Sequence, residues 1–600
     1  MAESGTNIEL KTTNKNGNLK PEDEHIPKIN DPLLSNPECV LQLTDDQENT
    51  YAQRIEALQN KWGDFLMNNA KSLWRIIYII LILLYSVYFG FAIWFSPKGA
   101  TFLIVVTLLV VTSWTYSVIS DLYGKRISKS LKDLTQPCSK ISNKKWRYIN
   151  WIIYGTLFIG VVLFLVFDTG RNPEQLTSFG GLMFFIFALY ITSTRPAKVR
   201  ARPVVWGLIL QFLLGLFILR WSVGYTVFKF LGDQVQLFLN YADEGSKFVF
   251  GDPGYLMHVV AFKILPVVVF FSSFISILYY VGLMQMVIRK IAFLMQITMG
   301  TTAIESLSAA ANIFLGQVET AVMLKPFIGK LTRSELHAVM TGGFATIAGT
   351  VVAAYIEFGA PAEHILSAAI MSAPAALAIS KLGYPETEDS LFRRQDDIQL
   401  DKGPETNIIE AASNGAMNSI KLCAGVVVNL IAFISLLAFI NACMGYLGGR
   451  VGYPELDFQT ICSYLFVPLT LIMGVPWVDA RKVARLIGTK IFLNEFLAYA
   501  ALGPMIDGGE LQERSAVIAT YALCGFGSVA ALGINLAALA LQAPERKGVI
   551  AKNMIRAMIS GNIACFMTAC IAGILYQGQS FTDLSVANTT STSTTVMTVH

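Results

Sequence analysis

The sequence predicts an all-α, polytopic membrane protein, and three observations carry that prediction. Of its 600 residues, 54% are hydrophobic and only 15% are charged, whereas a soluble chain usually carries about a quarter of its residues as charges. Several apolar runs approach or exceed the roughly 20 residues that a helix needs to cross the hydrocarbon core; the clearest are 76–95, 101–120, 149–167, 204–219 and 259–287. Two later stretches, around 300–319 and 474–496, are polar and rich in small residues within apolar surroundings. Such backbone is tolerated at membrane depth only inside protein or around a watery cavity. The composition rules out a disordered chain and argues against a large soluble enzyme. With Lys plus Arg at 46 and Asp plus Glu at 42, the net charge of +4 gives no nucleic-acid signature.

The elements follow in chain order. Residues 1–74 are polar, hold no apolar core followed by a cleavage site, and read as a cytosolic tail, largely unstructured, with a short helix near 48–66. Residues 75–220 hold the peripheral amino-terminal transmembrane helices. Lys125, Arg126, Lys129, Lys132, Lys140, Lys144, Lys145 and Arg147 separate the second and third apolar runs, and Arg195, Lys198, Arg200 and Arg202 follow the fourth, 179–191. Basic loops mark the cytosolic side, which also places the amino terminus inside the cell. Residues 221–255 read as an interfacial helix, amphipathic over 225–242, and an extracellular loop. Residues 256–384 are the first half of a core, 385–410 a polar linker, and 411–577 the second half. Residues 578–600 form an extracellular Thr/Ser tail in which Asn588-Thr589-Thr590 is a glycosylation sequon.

Eight cysteines show neither metal-ligand spacing nor a disulfide framework, and the five histidines do not cluster with carboxylates, so zinc and haem chemistry are not expected. The absence of a P-loop, a phosphorylation motif and a selectivity-filter repeat disfavours an ATP-driven pump or a potassium channel.

Glu305, Glu319 and Glu495 stand out because carboxylates within membrane segments are costly and are functional candidates by default. The structural alternative is that each caps a helix or pairs with Lys325, Lys490 or an arginine. Glu319 lies beside Gln317 and near Asn312, in a segment punctuated by Gly316 and Pro326. A broken helix or hairpin there exposes the backbone groups with which transporters hold sodium and polar solutes. Downstream, Thr341-Gly-Gly-Phe-Ala-Thr-Ile-Ala-Gly-Thr reads as a small-residue helix that packs closely or breaks, and a hydroxyl such as Thr346 suits a hard cation. These residues point to an ion-coupled secondary transporter, with a membrane enzyme or a channel as the alternatives.

At the same residues the chain resembles the concentrative nucleoside transporters, which move nucleosides inward with sodium. The matching pieces are Gly300-Thr-Thr-Ala, Asn312-Ile-Phe-Leu-Gly-Gln-Val-Glu, Met340-Thr-Gly-Gly-Phe-Ala-Thr-Ile-Ala-Gly, Met371-Ser-Ala-Pro-Ala-Ala, Val483-Ala-Arg-Leu-Ile-Gly-Thr-Lys, Asn494-Glu-Phe-Leu-Ala-Tyr and Tyr521-Ala-Leu-Cys-Gly-Phe. The resemblance implies a homotrimeric, plasma-membrane, elevator-type fold with two re-entrant hairpins, two partly unwound helices and an inverted repeat. It places sodium on the Asn312 side chain, the Leu315 carbonyl, the Thr346 hydroxyl and the Ile347 carbonyl. It places the solute against Gln317, Val318 and Glu319 of the first hairpin, Glu495 of the second, and Phe526, Ser528 and Ala531 beyond it.

Three of these positions depart from the family pattern. Val318 replaces a threonine, Ser528 an asparagine and Ala531 a serine, and each lost buried partner costs about 1 to 3 kcal/mol. The expected function is sodium-coupled nucleoside import. The alternatives are sodium-coupled transport of a nucleobase, modified nucleoside or other small polar solute, and a non-transporting binding protein on the same scaffold.

Overall fold

The computed structural model describes residues 38–96, scattered positions between 103 and 160, and residues 173–393 and 405–576 except 258, with positions 403 and 578. It divides into two compact units, Met1–Ile149 and Asn150–His600. In the first, helix α1 spans Glu38–Phe95. The short helix expected near 48–66 is therefore part of a 58-residue helix that continues into the first apolar run. No proline interrupts it, and it stops at Ser96, before Pro97, as a residue preceding proline disfavours the helical region. The apolar runs 101–120 and 149–167 fall mostly outside the described residues.

The second unit opens with α2 (Pro173–Ile191), α3 (Ala201–Leu219) and α4 (Ser222–Phe250). The amphipathic segment 225–242 lies within α4. The run 259–287 is not one helix. A π-helical turn, Val259–Ile264, leads into α5 (Leu265–Val281), and Gly282 at φ +86° ends that helix and starts α6 (Leu283–Met299). Glycine carries this left-handed conformation without the steric penalty of a Cβ.

From Ala303 onward the same sequence of elements occurs twice. A hairpin of α7 (Ala303–Ala311) and α8 (Gln317–Met323) precedes α9 (Arg333–Ala345) and α10 (Gly349–Glu357), two halves of one broken helix, and then the long α11 (Ala362–Gly383). After α12 (Ile408–Arg450), α13 (Phe458–Leu465) and α14 (Val467–Met473), the order returns: hairpin α15 (Trp477–Phe492) and α16 (Glu495–Asp507), broken helix α17 (Glu513–Leu523) and α18 (Val529–Gln542), and long α19 (Lys547–Leu575). Packing between the halves is reciprocal. The second limb of each hairpin lies on the second half of the other repeat's broken helix, α8 on α18 and α16 on α10, while α9 and α17 both pack on α11 and α19. Two hairpins, two unwound helices and an inverted repeat thus make up the fold. Among the described residues eight helices are long and apolar enough to cross a membrane.

Local chemistry sets these boundaries. Glu335 accepts from the Thr332 amide at 2.9 Å while its own amide donates to Thr332 Oγ1 at 3.0 Å, a reciprocal capping box that starts α9. Glu305 accepts from the Thr302 amide at 3.0 Å at the start of α7 and forms an ion pair with Lys381 of α11. This is the structural alternative for Glu305, with a lysine that the sequence did not single out. The beginning of the linker is packed rather than solvated: Thr332 Oγ1 donates to Glu386 at 2.8 Å, Ser390 donates to Glu335, and Phe392 meets Phe327 edge-on at 5.2 Å. Asp479 accepts from the Gln512 amide at 3.0 Å, so it tethers the start of α17. Arg481 lies over the Tyr464 ring, and Arg485 pairs with Asp457 at 3.6 Å.

Candidate ion and solute site at the crossed helix breaks

The two helix breaks, 346–348 and 524–528, touch each other. The Phe526 amide donates to the Thr346 carbonyl at 3.3 Å, and Cys565 Sγ reaches the Ala345 carbonyl at 3.4 Å. Gly525 makes this approach possible. It sits at φ +126°, and a Cβ there would come within 2.7 Å of Cys565 Sγ and 2.8 Å of the Phe344 carbonyl.

The tip of the first hairpin closes on the first break. The Gly349 amide donates to the Phe314 carbonyl at 3.0 Å, and a Cβ at Gly342 would approach Asn312 Nδ2 to 2.7 Å. Asn312 is fully buried, and both ends of its amide lack a hydrogen-bond partner. Leaving a buried polar group unpaired costs about 1 to 3 kcal/mol, and the fold leaves both ends of this amide with that capacity unused. Thr346 Oγ1 donates to the Gly342 carbonyl at 2.8 Å, which leaves the hydroxyl oxygen able to accept or coordinate. Among the described residues, no hydrogen bond is donated to the Leu315 or Ile347 carbonyl. An amide oxygen, a hydroxyl and two carbonyls are an all-oxygen donor set, the kind a hard cation takes. Residues Asn312, Leu315, Thr346 and Ile347 are thus brought to one place by the hairpin tip and the break.

The solute-side residues divide into two groups. Gly316 caps α8, and a Cβ there would meet Glu319 Oε2 at 2.5 Å and Ala348 at 2.9 Å, so the Glu319 carboxylate lies over the hairpin turn against the first break. Gln317 is buried with Oε1 unpartnered, whereas Val318 is 39% exposed and Glu319 is exposed. In the second group Glu495 is the first residue of α16, behind Asn494, whose side chain accepts from the Leu497 amide at 2.9 Å. The positive end of the helix favours a carboxylate there. Glu495 is buried beside the Tyr355 hydroxyl, and its Oε2 has no hydrogen-bond partner. Tyr355 stacks on Tyr499 at 4.4 Å and meets Phe496 edge-on at 5.3 Å, a wall of three rings around the carboxylate. Neither Glu319 nor Glu495 forms an ion pair among the described residues, but both lie in the first turn of a helix, Glu319 over the N-cap Gly316, so the capping half of the structural alternative holds its place beside the functional one.

Phe526 lies partly buried at the second break. Ser528 is buried, and its oxygen accepts from the Ala531 amide at 3.2 Å, capping α18. Ala531 is buried on the same helix. Asn588 falls outside the described residues. Sequence reasoning missed Tyr355, which reads as one more aromatic on an apolar helix, and Asn535, a buried amide of α18. Only the spacing of Asn535 from Ala531, four residues along a helix, could have flagged it.

Family models match three consecutive parts of the chain: "Na+ dependent nucleoside transporter N-terminus" over 180–253, "Nucleoside recognition" over 261–362, and "Na+ dependent nucleoside transporter C-terminus" over 364–573. Solute carrier family 28 member 3 of Homo sapiens is 44% identical over 545 residues, covering 88% of this chain and 78% of the relative. The chain belongs to the sodium-dependent nucleoside transporter family. Within that family, the protein of the same name from Eptatretus stoutii is 46% identical over 87% of this chain and 78% of its own length. Sodium/nucleoside cotransporter 1 of Sus scrofa is 44% identical, over 82% and 77%. Among solved structures, CNTnw in an inward-facing substrate-bound state aligns at TM-score 0.63 and 35% identity, covering 67% of this chain and 98% of that one. An outward-facing CNTnw variant aligns at TM-score 0.65 and 33% identity, over 67% and 99%. The CNTnw structures span outward-facing, intermediate and inward-facing states, and this chain shares their elevator-type transporter fold.

Proposed function

We propose that the protein is a sodium-coupled nucleoside symporter of the plasma membrane. Its activity is transport, and sodium and nucleoside are both cargo. The observation that carries this reading is the fully buried Asn312 amide, unpartnered at both ends, facing the break that holds Thr346. Family membership supports the nucleoside as solute over another small metabolite and over a non-transporting binding protein, since relatives at 42 to 44% identity carry the name sodium/nucleoside cotransporter.

In this reading sodium binds the Asn312 side-chain oxygen, the Leu315 and Ile347 carbonyls and the Thr346 hydroxyl. Two of these ligands lie on the hairpin tip and two on the first break, so binding fixes the one against the other. That ordering presents Gln317, Val318 and Glu319 to the base. Glu495 receives the ribose hydroxyls, with Phe526, Ser528 and Ala531 forming the remaining wall. Because each ligand favours the same closed arrangement, each raises the affinity of the other by the same factor. A sodium ion entering down an inside-negative potential of about 100 mV releases roughly 2.3 kcal/mol, which drives the solute inward. The protomer works within a homotrimer, with the amino terminus in the cytosol and the carboxyl end outside, where Asn588 is glycosylated.

Replacing external sodium with choline at constant pH tests this directly. Uptake of labelled uridine or adenosine falls to the background of empty vesicles; uptake that is unchanged in choline would remove sodium coupling.

A further inference from the structure

Helix α18 buries three residues, Ala531, Asn535 and Leu539. They are four apart and form one stripe. Ala531 and Leu539 belong to an apolar cluster that also holds Leu315, Ala321 and Leu324 of the first hairpin region. The middle position of the stripe is an amide. Asn535 is 2% exposed, and its Nδ2 has no hydrogen-bond partner. A Cβ at Gly343 would lie 2.9 Å from Gln317 Cβ and 3.3 Å from Asn535 Nδ2, so Gln317 and Asn535 flank the same bare stretch of backbone. Gln317 Oε1 is likewise unpartnered, which means the two amides do not satisfy each other. Two buried amides thus flank Gly343, each with one end whose hydrogen-bonding capacity the fold does not use.

Ser528 and Ala531 explain why such a group is needed. The Ser528 oxygen is engaged in capping α18, and Ala531 offers no polar side-chain atom. Asn535 lies seven residues beyond Ser528 and four beyond Ala531, on the same helical face. We infer that Asn535 is a specificity-determining residue of the solute site, whose amide pairs with the base beside Gln317 and supplies the polar contact that positions 528 and 531 lack. This rests on the solute site proposed above. An amide N–H donates, so the matching group on the base is an acceptor: the exocyclic carbonyl of uracil or hypoxanthine.

The test is uptake kinetics in sodium-loaded gradients for uridine, cytidine, inosine and adenosine, with wild type, Asn535→Asp and Asn535→Leu. The aspartate is nearly isosteric and replaces a donor with an acceptor. It shifts preference toward the amino-bearing cytidine and adenosine by about tenfold relative to uridine and inosine, the size of one exchanged hydrogen bond. Asn535→Leu raises KM for uridine and inosine by about tenfold and for cytidine and adenosine by less than about twofold, with maximal velocity and half-saturating sodium within about twofold of wild type. A purely structural role would instead reduce folded yield or velocity and leave base preference unchanged. Unchanged preference in Asn535→Asp overturns the inference, as does failure of both variants to fold, since an amide spent on solute is dispensable to the fold. If wild type takes up no nucleoside, the proposed function itself fails; if it does while the variants match it, only this inference does.

Discussion

Val318 stands where the family pattern has a threonine, in a turn whose other members, Gln317 and Glu319, keep their polar groups. The exchange preserves volume and branching and removes one hydroxyl. Its side chain is among the exposed parts of the hairpin, so the missing group is one that would face solute or water rather than the core. Val318→Thr restores a hydrogen bond of about 0.5 to 1.5 kcal/mol and lowers nucleoside KM by roughly two- to tenfold. Uptake kinetics at saturating sodium measure it, and an unchanged or raised KM would place Val318 outside the pocket. The single residues that sequence reasoning found are polar groups in apolar surroundings, which is why Asn312, Gln317, Glu319 and Glu495 were legible. Asn535 was not, because one asparagine in a helix of alanine and leucine carries no pattern until the buried stripe of that helix is known. The role of Ser528 as a cap was available in principle, since serine before an apolar helical run is a favoured N-cap.

At the level of elements, the breaks define the site and the buried ion pair braces it. Lys381 of α11 pairs with Glu305 at the start of the first hairpin and with Glu386 at 3.5 Å, and donates to Ser334 Oγ at 2.8 Å. One lysine therefore joins the hairpin, the broken helix and the beginning of the linker. Removing one partner leaves a buried charge uncompensated, at a cost of about 3 to 5 kcal/mol. Lys381→Met is expected to lower the thermal stability of the detergent-purified protein markedly, and the Glu305→Gln, Lys381→Met pair to recover much of the loss. Equal melting of Lys381→Met and wild type would contradict a bracing role. Glycine and small-residue chemistry made the hairpin at Gly316 and the break near Thr346 readable from sequence, whereas the capping box that starts α9 at Thr332 was not read. The Lys381 partnership was not readable, because it joins residues 76 positions apart and depends on how α11 packs. The length of α1 was missed for a different reason: its polar first half lacks the apolar periodicity by which helices are recognised.

Across the whole molecule, the repeated order of hairpin, broken helix and long helix, with reciprocal packing of its halves, places both helix breaks at one crossing. Transporters built from such repeats put ion and solute at that crossing and expose it alternately to the two sides. The repeat itself was only partly legible, as two polar clusters in corresponding halves; its reciprocal packing is a property of long-range contacts. The most direct measurement is the steady accumulation ratio of labelled uridine in vesicles holding the purified protein, with a tenfold inward sodium gradient and the membrane potential clamped at zero. Such a gradient stores about 1.4 kcal/mol per sodium ion, so one sodium per nucleoside predicts about tenfold accumulation inside, lost in Asn312→Leu. A ratio of one with the gradient in place, reached at an appreciable rate, would mean that the protein passes nucleosides without coupling and that the Asn312 site does not bind the driving ion.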